Sequence, residues 1–157
     1  MKLLNFIFIV LIFAGIVSTV LLINNFIQEN KQVVKLPKSY ELGKLGNRNF
    51  VCNIEQASIE NNKLTIKGWG IIKKSRKQGN LNLLLKNSKG ELYKLKYKSE
   101  DRKDVTKFFN DGFNYNNSGF ISEIDLNNIN GNGKYVIIIQ IEIGKEKFYS
   151  IDERLEK

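Results

Sequence analysis

Histidine is absent from the 157 residues of this chain, and cysteine, proline and tryptophan each occur once. Without an imidazole there is no histidine general base and no ordinary zinc site. A single cysteine excludes an intramolecular disulfide, so the fold depends on packing alone. Cys52 lies in an apolar run with no base beside it, and we expect it to be buried and inert. No glycine-rich phosphate loop precedes a helix.

The acidic and asparagine side chains form no strong catalytic or metal-binding pattern. The densest group of carboxylates is Asp101, Asp104, Asp111, Glu123 and Asp125. A two-carboxylate glycosidase site would normally need a larger scaffold. Asp111, Asn114 and Asn116 offer spaced oxygen ligands, but too few carboxylates for a strong calcium site. We therefore predict a chain that is not an enzyme and that needs no cofactor or metal.

The longest apolar stretch covers residues 3–23 and contains no charged side chain. A helix of about 21 residues is roughly 31 Å long, which matches the hydrocarbon core of a bilayer. A cleaved signal peptide is the alternative, but its apolar core would be about 7–15 residues long and followed by a small-residue cleavage site. We predict that residues 1–28 form an uncleaved transmembrane anchor in contact with membrane lipid.

The charges that flank this stretch indicate its orientation only weakly. Lys2 precedes it, whereas Lys31, Lys35 and Lys38 follow it, which slightly disfavours export. Long domains nevertheless translocate largely regardless of charge. The composition is rich in Lys, Ile and Asn, as in proteins of AT-rich bacterial genomes. We expect a single-pass protein of a bacterial cell membrane, with its C-terminal domain outside the cell.

Residues 29–49 are polar and irregular, and they predict a tether between the anchor and a folded domain. Pro37 ends any helix because it has no amide hydrogen to donate. Gly43 and Gly46 continue the loop character. The alternation of apolar and polar residues begins at Phe50, so we place the domain at residues 50–157.

The domain has the pattern of short strands separated by turns. Asn61 and Asn62 favour a tight turn, because asparagine tolerates the left-handed conformation. A cap at Asp101 and the spacing of Val105 and Phe109 predict one short helix. This pattern favours an antiparallel immunoglobulin-like β-sandwich of about seven strands. The first predicted strand begins at residue 50. The other six occupy residues 64–72, 80–86, 91–98, 119–126, 134–143 and 146–151.

Basic side chains outnumber acidic ones by 25 to 16, which gives a formal charge of +9. Two groups are Lys73, Lys74, Arg76 and Lys77 in one loop, and Lys94, Lys96 and Lys98 along one predicted strand. A basic domain beside a membrane suits anionic lipid, an anionic wall polymer or nucleic acid. Nucleic acid is the least expected, because Tyr93 and Tyr97 would point away from the strand lysines. A solvated surface without a ligand is the remaining alternative.

Four segments of the domain carry a pattern with a known counterpart. They read LTIKGWG at 64–70, RKDV at 102–105, NSGF at 117–120 and GKYVI at 133–137. Their order and spacing resemble the small β-rich accessory domains found with Gram-positive teichoic-acid and capsule polymer glycerophosphotransferases and glycosyltransferases. The resemblance covers residues 50–152. It implies a non-catalytic domain that accompanies polymer synthesis, although here an anchor rather than a transferase accompanies it.

Two residues of that pattern have both a structural and a functional interpretation. Trp69 lies between two glycines and is expected to pack in the sandwich core, with an exposed sugar-stacking indole as the alternative. Arg102 and Asp104 are expected to form a local ion pair or to cap the short helix, with a clamp by Arg102 on a phosphate or carboxylate as the alternative.

The leading hypothesis is a non-catalytic, membrane-anchored cell-surface β-sandwich that binds or helps assemble an anionic glycopolymer. The basic side chains, Trp69 and Arg102 are its candidate ligand-binding residues. The alternative is a protein-interaction or assembly subunit of a surface or membrane complex, which self-associates through its N-terminal helix or pairs with another protein.

Overall fold

The computed structural model describes residues 15–23, 31–46, 49–130 and 133–155. The chain divides into two compact units, Met1–Lys31 and Gln32–Lys157. In the first unit, residues 15–23 form helix α1, in which the Thr19 hydroxyl donates to the Gly15 carbonyl at 2.8 Å. Among the described residues no helix reaches the length and apolar character that a membrane crossing needs. Most of the predicted anchor at 1–28 lies outside the described residues.

Within its described residues, the second unit contains ten strands and one short α-helix. Helix α2 covers Lys103–Phe109. The strands are β1 Val33–Lys35, β2 Lys44–Leu45, β3 Phe50–Glu60, β4 Lys63–Ile72, β5 Asn80–Lys86, β6 Leu92–Leu95, β7 Lys98–Glu100, β8 Gly119–Asp125, β9 Tyr135–Ile143 and β10 Glu146–Leu155. The prediction of a mostly β fold with a short helix after residue 100 is confirmed. Helix α2 is preceded by Arg102 rather than capped by Asp101.

The strands form two sheets. A six-stranded sheet has the order β1-β6-β5-β9-β10-β2, and a four-stranded sheet has the order β3-β4-β8-β7. All neighbours are antiparallel except β10 and β2, which are parallel. The β3–β4 hairpin closes through Asn61 and Asn62, both at positive φ, as asparagine permits. The immunoglobulin-like arrangement stays a prediction.

Apolar side chains from both sheets form one core. The four-stranded sheet contributes Leu64, Ile66 and Phe120, and the six-stranded sheet contributes Leu83 and Ile137, all fully buried. Alternate residues of a strand face opposite sides of its sheet, so every second residue of β4, β5 and β9 enters this core. The residues between them face outward, and Trp69 of β4 and Asn82 of β5 each belong to one of the two candidate surfaces described below.

The segment 32–46, here called the strap, belongs to the folded unit. Its two ends form edge strands of the six-stranded sheet, since β1 pairs with β6 and β2 pairs with β10. Between them, the Tyr40 hydroxyl donates to Gln140 Oε1 at 2.7 Å, and Gln140 Nε2 donates to the Leu42 carbonyl at 2.9 Å. The folded unit thus begins at Gln32, not at the predicted boundary of 50, and residues 32–46 are not a free tether. Strands of three and two residues are too short to show a period in the sequence.

A carboxylate fastens the first strand of the strap. Glu91 accepts hydrogen bonds from Lys35 Nζ, from Asn87 Nδ2 at 2.8 Å and from the Tyr93 hydroxyl at 2.9 Å. These donors, with Lys35 the strongest, lower the pKa of Glu91 to about 2. Because Lys35 lies in β1 and Glu91 precedes β6, the ion pair joins the strap to its neighbouring strand.

The strand predicted at 91–98 is divided between the two sheets. Residues Leu92–Leu95 pair within the six-stranded sheet, whereas Lys98–Glu100 pair with β8 in the four-stranded sheet. The chain crosses between the sheets at Lys96, whose carbonyl accepts a hydrogen bond from the Ser122 hydroxyl at 2.7 Å. Side-chain alternation continues through the crossing, so the sequence pattern alone reads as one strand.

Candidate functional site

The outer side of the four-stranded sheet carries a second apolar cluster. Trp69 and Ile71 alternate along β4 with residues that face the main core, so they point outward. Helix α2 covers them with Val105 and Phe109, and Tyr115 completes the cluster from the following loop. The expectation that Trp69 packs in the main core is therefore wrong. Gly68 leaves room for Phe120 in that core instead, since a Cβ on it would stand 3.0 Å from Phe120 Cζ.

Aromatic rings connect this cluster to the surface. The Phe109 ring makes edge-to-face contacts with Trp69, Tyr115 and Phe108, at centroid distances of 5.9, 5.7 and 5.1 Å. This geometry is the favourable one for aromatic pairs. Trp69 is half-buried, whereas Phe108 is 79% exposed. Phe109 is thus held from three sides, and Phe108 extends the aromatic surface into solvent.

The predicted basic loop lies against the same rings. Lys73 Nζ stands 5.2 Å from the centroid of the Phe109 ring, a cation–π distance. The backbone N–H of Lys74 donates to the Tyr115 hydroxyl at 2.9 Å. Burial raises the pKa of Tyr115, and its hydroxyl donates to Asp111 Oδ2 at 2.9 Å. The loop is therefore fixed on the cluster at its first two residues.

Internal hydrogen bonds hold the rest of the loop. The Gln78 side chain accepts from the Ile72 N–H at 2.8 Å and donates to the Ile72 and Ser75 carbonyls at 3.1 and 2.7 Å. The four cations of the loop are Lys73, Lys74, Arg76 and Lys77, and none of them pairs with a carboxylate of the described residues. We call these four cations together with Trp69, Phe108 and Phe109 the aromatic–basic surface.

Arg102 forms ion pairs with two carboxylates, those of Glu55 and Asp104. Its Nη1 and Nη2 donate to the two oxygens of Glu55 at 3.0 and 2.6 Å, and its Nε and Nη2 donate to those of Asp104 at 3.0 and 2.7 Å. The predicted pairing with Asp104 is confirmed. The hydrogen bonds from Arg102 lower the pKa of Asp104 to about 2. Because Arg102 is only 8% exposed and all three of its nitrogens donate, a ligand would have to displace one of the carboxylates.

The strand lysines are separated by the crossing between the sheets. Lys94 lies in β6 of the six-stranded sheet, Lys98 lies in β7 of the four-stranded sheet, and Lys96 lies between them. All three are exposed. The three lysines therefore do not lie along one strand, contrary to the prediction from the sequence pattern.

The structure adds aromatic residues that the sequence analysis did not assign to the site. The sequence pattern uses Phe109 only for the spacing of a short helix and gives no role to Phe108 or Tyr115. The unusual density of aromatic residues at 108–115 was the available signal, but their contact with Trp69 depends on how α2 packs.

The side-chain oxygen atoms of Asp111, Asn114 and Asn116, the possible calcium ligands, accept hydrogen bonds from the loop itself and from helix α2. Asp111 Oδ1 accepts from the Phe113 N–H, Asn114 Oδ1 from the Asn116 N–H, and Asn116 Oδ1 from the Thr106 hydroxyl. Over the ranges that the structure describes, no cluster of three potential metal ligands is present.

Comparison of this chain with known protein families, curated proteins and solved structures found no match. The likeness to accessory domains of polymer synthases therefore stays a prediction, and the geometry of the surfaces carries the functional argument.

Proposed function

We propose that this protein is a non-catalytic, membrane-anchored β-sandwich of the bacterial cell surface that binds or helps assemble an anionic glycopolymer. The observation that carries the proposal is the juxtaposition of Lys73 and the Phe109 ring, with Trp69 and the exposed Phe108 beside them. A polymer of sugars and phosphates presents both chemistries that such a surface recognises.

The basic half of the surface suits a phosphate-bearing chain. Its four cations have no carboxylate partners among the described residues, so a ligand anion would not first have to displace one. The loop backbone is held by Gln78 and by the bond to Tyr115, so a ligand would have to order the cationic side chains but not the backbone that carries them. Exposed charge pairs are individually weak, about 0–1 kcal/mol each, but a repeating polyanion engages several together.

The aromatic half suits the apolar face of a sugar ring. An exposed ring such as that of Phe108 presents a flat surface against which the C–H face of a pyranose packs. Phe109 is fixed by its edge-to-face contacts, and Lys73 above it places a cation next to that surface. A phosphate and its neighbouring sugar would thus meet side chains that lie next to one another in space, from the basic loop and from helix α2.

The membrane location belongs to the same proposal. The uncharged stretch at 3–23 has the length of a bilayer span, and a domain exported behind it would face the wall polymers of a Gram-positive cell. The immunoglobulin-like arrangement is proposed on the two sheets that share one apolar core.

The test is retention of the full-length protein, in detergent, on immobilised wall teichoic acid. We expect retention that weakens with salt and a loss of affinity of about tenfold or more for the Lys73/Lys74/Lys77→Glu variant at roughly 0.15 M salt. The matched control is Lys38/Lys86/Lys89→Glu, which reverses the same number of charges at exposed lysines that are not part of the aromatic–basic surface. Equal losses in the two variants would show attraction by overall charge and would contradict a local site.

A protein-interaction role is the second candidate, and the exposure of Phe108 favours it. An aromatic residue that is 79% exposed and surrounded by other rings and a lysine has the composition of an interface hot spot. A photo-crosslinking amino acid at position 108 in living cells would distinguish the two roles. A single crosslinked protein would favour a complex, whereas labelled polymer would favour the glycopolymer.

A further inference from the structure

A polar groove lies on the six-stranded sheet. It shares no residue with the aromatic–basic surface and differs from it in composition. Its volume is about 390 Å³, within the range of about 300–1,000 Å³ typical of ligand sites. Strands β5, β6 and β9, the crossing between the sheets and the turn before β8 all contribute to it. We call it the asparagine groove, and it is lined by Gly79, Asn80, Leu81, Asn82, Lys94, Tyr97, Asn117 and Glu142.

Hydrogen-bonding groups that the fold does not use converge on this groove. The side chains of Asn80, Lys94 and Asn117 make no hydrogen bond or ion pair with any described residue. Asn82 is only 5% exposed and donates to Gln140 at 3.1 Å, but its Oδ1 accepts no bond from the described residues. Asparagines elsewhere hold turns, as Asn87 does through four hydrogen bonds.

The groove is held in place by its surroundings. Asn82 is positioned by Gln140, which is itself fixed by Tyr40 and the Leu42 carbonyl of the strap. The Tyr97 hydroxyl donates to the Leu81 carbonyl at 3.0 Å, which fixes the ring at one wall. A Cβ on Gly79 would lie 2.5 Å from the Glu142 carbonyl, so only glycine lets the chain approach β9 so closely there. The unused groups therefore stand on a preorganised frame.

The chemistry of the lining selects the class of ligand. An amide offers two donors and an acceptor side by side, which complements a hydroxyl that both donates and accepts. Lys94 is the one cation of the lining and Glu142 its one anion, and Glu142 pairs with Lys147 at 3.0 Å. A single exposed cation offers a polyanion little attraction. We propose that the asparagine groove binds a neutral mono- or disaccharide through Asn80, Asn82, Asn117 and Lys94.

Saturation-transfer difference NMR on the full-length protein in detergent micelles tests this proposal, with glucose, galactose, N-acetylglucosamine and N-acetylgalactosamine as probes. We expect saturation transfer to at least one sugar, with a Kd on the order of millimolar because the groove is open. Asn80→Ala and Asn117→Ala should each weaken binding roughly three- to tenfold, as loss of one hydrogen-bonding partner does. Both asparagines are exposed, so the variants should fold.

Asn128→Ala is the matched control, because Asn128 is also exposed and lies outside the groove. Its binding should equal that of the unchanged protein. Absence of saturation transfer to all four sugars at about 10 mM would overturn the proposal, as would binding that survives the Asn80→Ala/Asn117→Ala double change. Phe108→Ala, which removes the exposed ring of the aromatic–basic surface, and Lys73/Lys74/Lys77→Glu should each bind the same sugar unchanged, so this test and the teichoic-acid test fail independently.

Discussion

Replacement of Gln140 by leucine tests the central finding that the strap belongs to the fold. Gln140 is fully buried, and its amide makes three hydrogen bonds, with Tyr40, Asn82 and the Leu42 carbonyl. Leucine has a similar volume but cannot make any of them. At about 1 kcal/mol per bond, plus the cost of a carbonyl left without a partner, the free energy of unfolding should fall by about 2–4 kcal/mol. A domain of this size should then melt roughly 6–15 °C lower.

The assay is thermal and urea unfolding of the full-length protein in mild detergent, followed by circular dichroism. Tyr40→Phe removes one of the three bonds but keeps the ring beneath Lys147, whose Nζ lies 4.7 Å from its centroid. We expect it to cost about 1 kcal/mol alone and less when combined with Gln140→Leu, because the two changes remove the same bond. Hydrogen exchange should show that residues 32–46 lose protection before β5 and β9 do.

Gln56→Leu is the matched control for this experiment. Gln56 is exposed on β3, and the same change there should alter stability by no more than about 0.5 kcal/mol. If Gln140→Leu were equally harmless, Gln140 would not be buried beneath the strap, and the segment 32–46 would be a tether after all.

Three further changes follow from single contacts. Since the folded pKa of Glu91 is about 2 and its ordinary value is 4.5, its contribution to stability is present above pH 4.5 and is lost as the pH falls towards 2. Glu91→Gln should remove this part of an acid-unfolding profile, and an unchanged profile would contradict the ion pair with Lys35. Gly68→Ala places a Cβ 2.3 Å from the Asn53 carbonyl and should cost about 1–3 kcal/mol, whereas at Gly70 the nearest atom is 3.3 Å away and the same change should cost less; urea midpoints in the reverse order would refute this packing. The Ser118 hydroxyl is buried without a hydrogen-bond partner among the described residues, so Ser118→Ala should leave the melting temperature unchanged or raise it, and a clear drop would reveal a missing partner.

The local pattern of the sequence was sufficient for the class of fold and for several turns. Alternation identified the long strands, and the asparagine pair at 61–62 marked a hairpin that the structure confirms. Alternation failed where a strand was too short to show it, as in β1 and β2, and where a chain passed from one sheet to the other, as at Lys96. Both failures concern which strands are neighbours, and that depends on contacts between residues far apart in the chain.

The candidate site was predictable in its parts but not in its assembly. The basic loop and Trp69 stand out in the sequence, and the structure places Lys73 and Trp69 around one phenylalanine. Nothing in the spacing indicated that α2 would lie on the outer side of β4, because an amphipathic turn suits either side of a sheet. Arg102 shows the same limit. Its pairing with Asp104, two residues away in the sequence, was predictable, whereas its contact with Glu55, 47 residues away, was not.

The outer faces of both sheets explain where the two candidate surfaces lie. On the four-stranded sheet, Trp69 and Ile71 need an apolar cover, which helix α2 supplies through Val105 and Phe109. Phe108, near the C-terminal end of the same helix, is not part of this cover and stays exposed. On the six-stranded sheet, Gln140 needs a polar cover, which the strap supplies through Tyr40 and the Leu42 carbonyl. Asn82 touches that network, whereas Asn80 and Lys94 stand exposed beside it with unused hydrogen-bonding groups. Each candidate surface thus lies beside a cover that holds some of its residues rigid and leaves others open to solvent, which is the arrangement that preorganised binding requires.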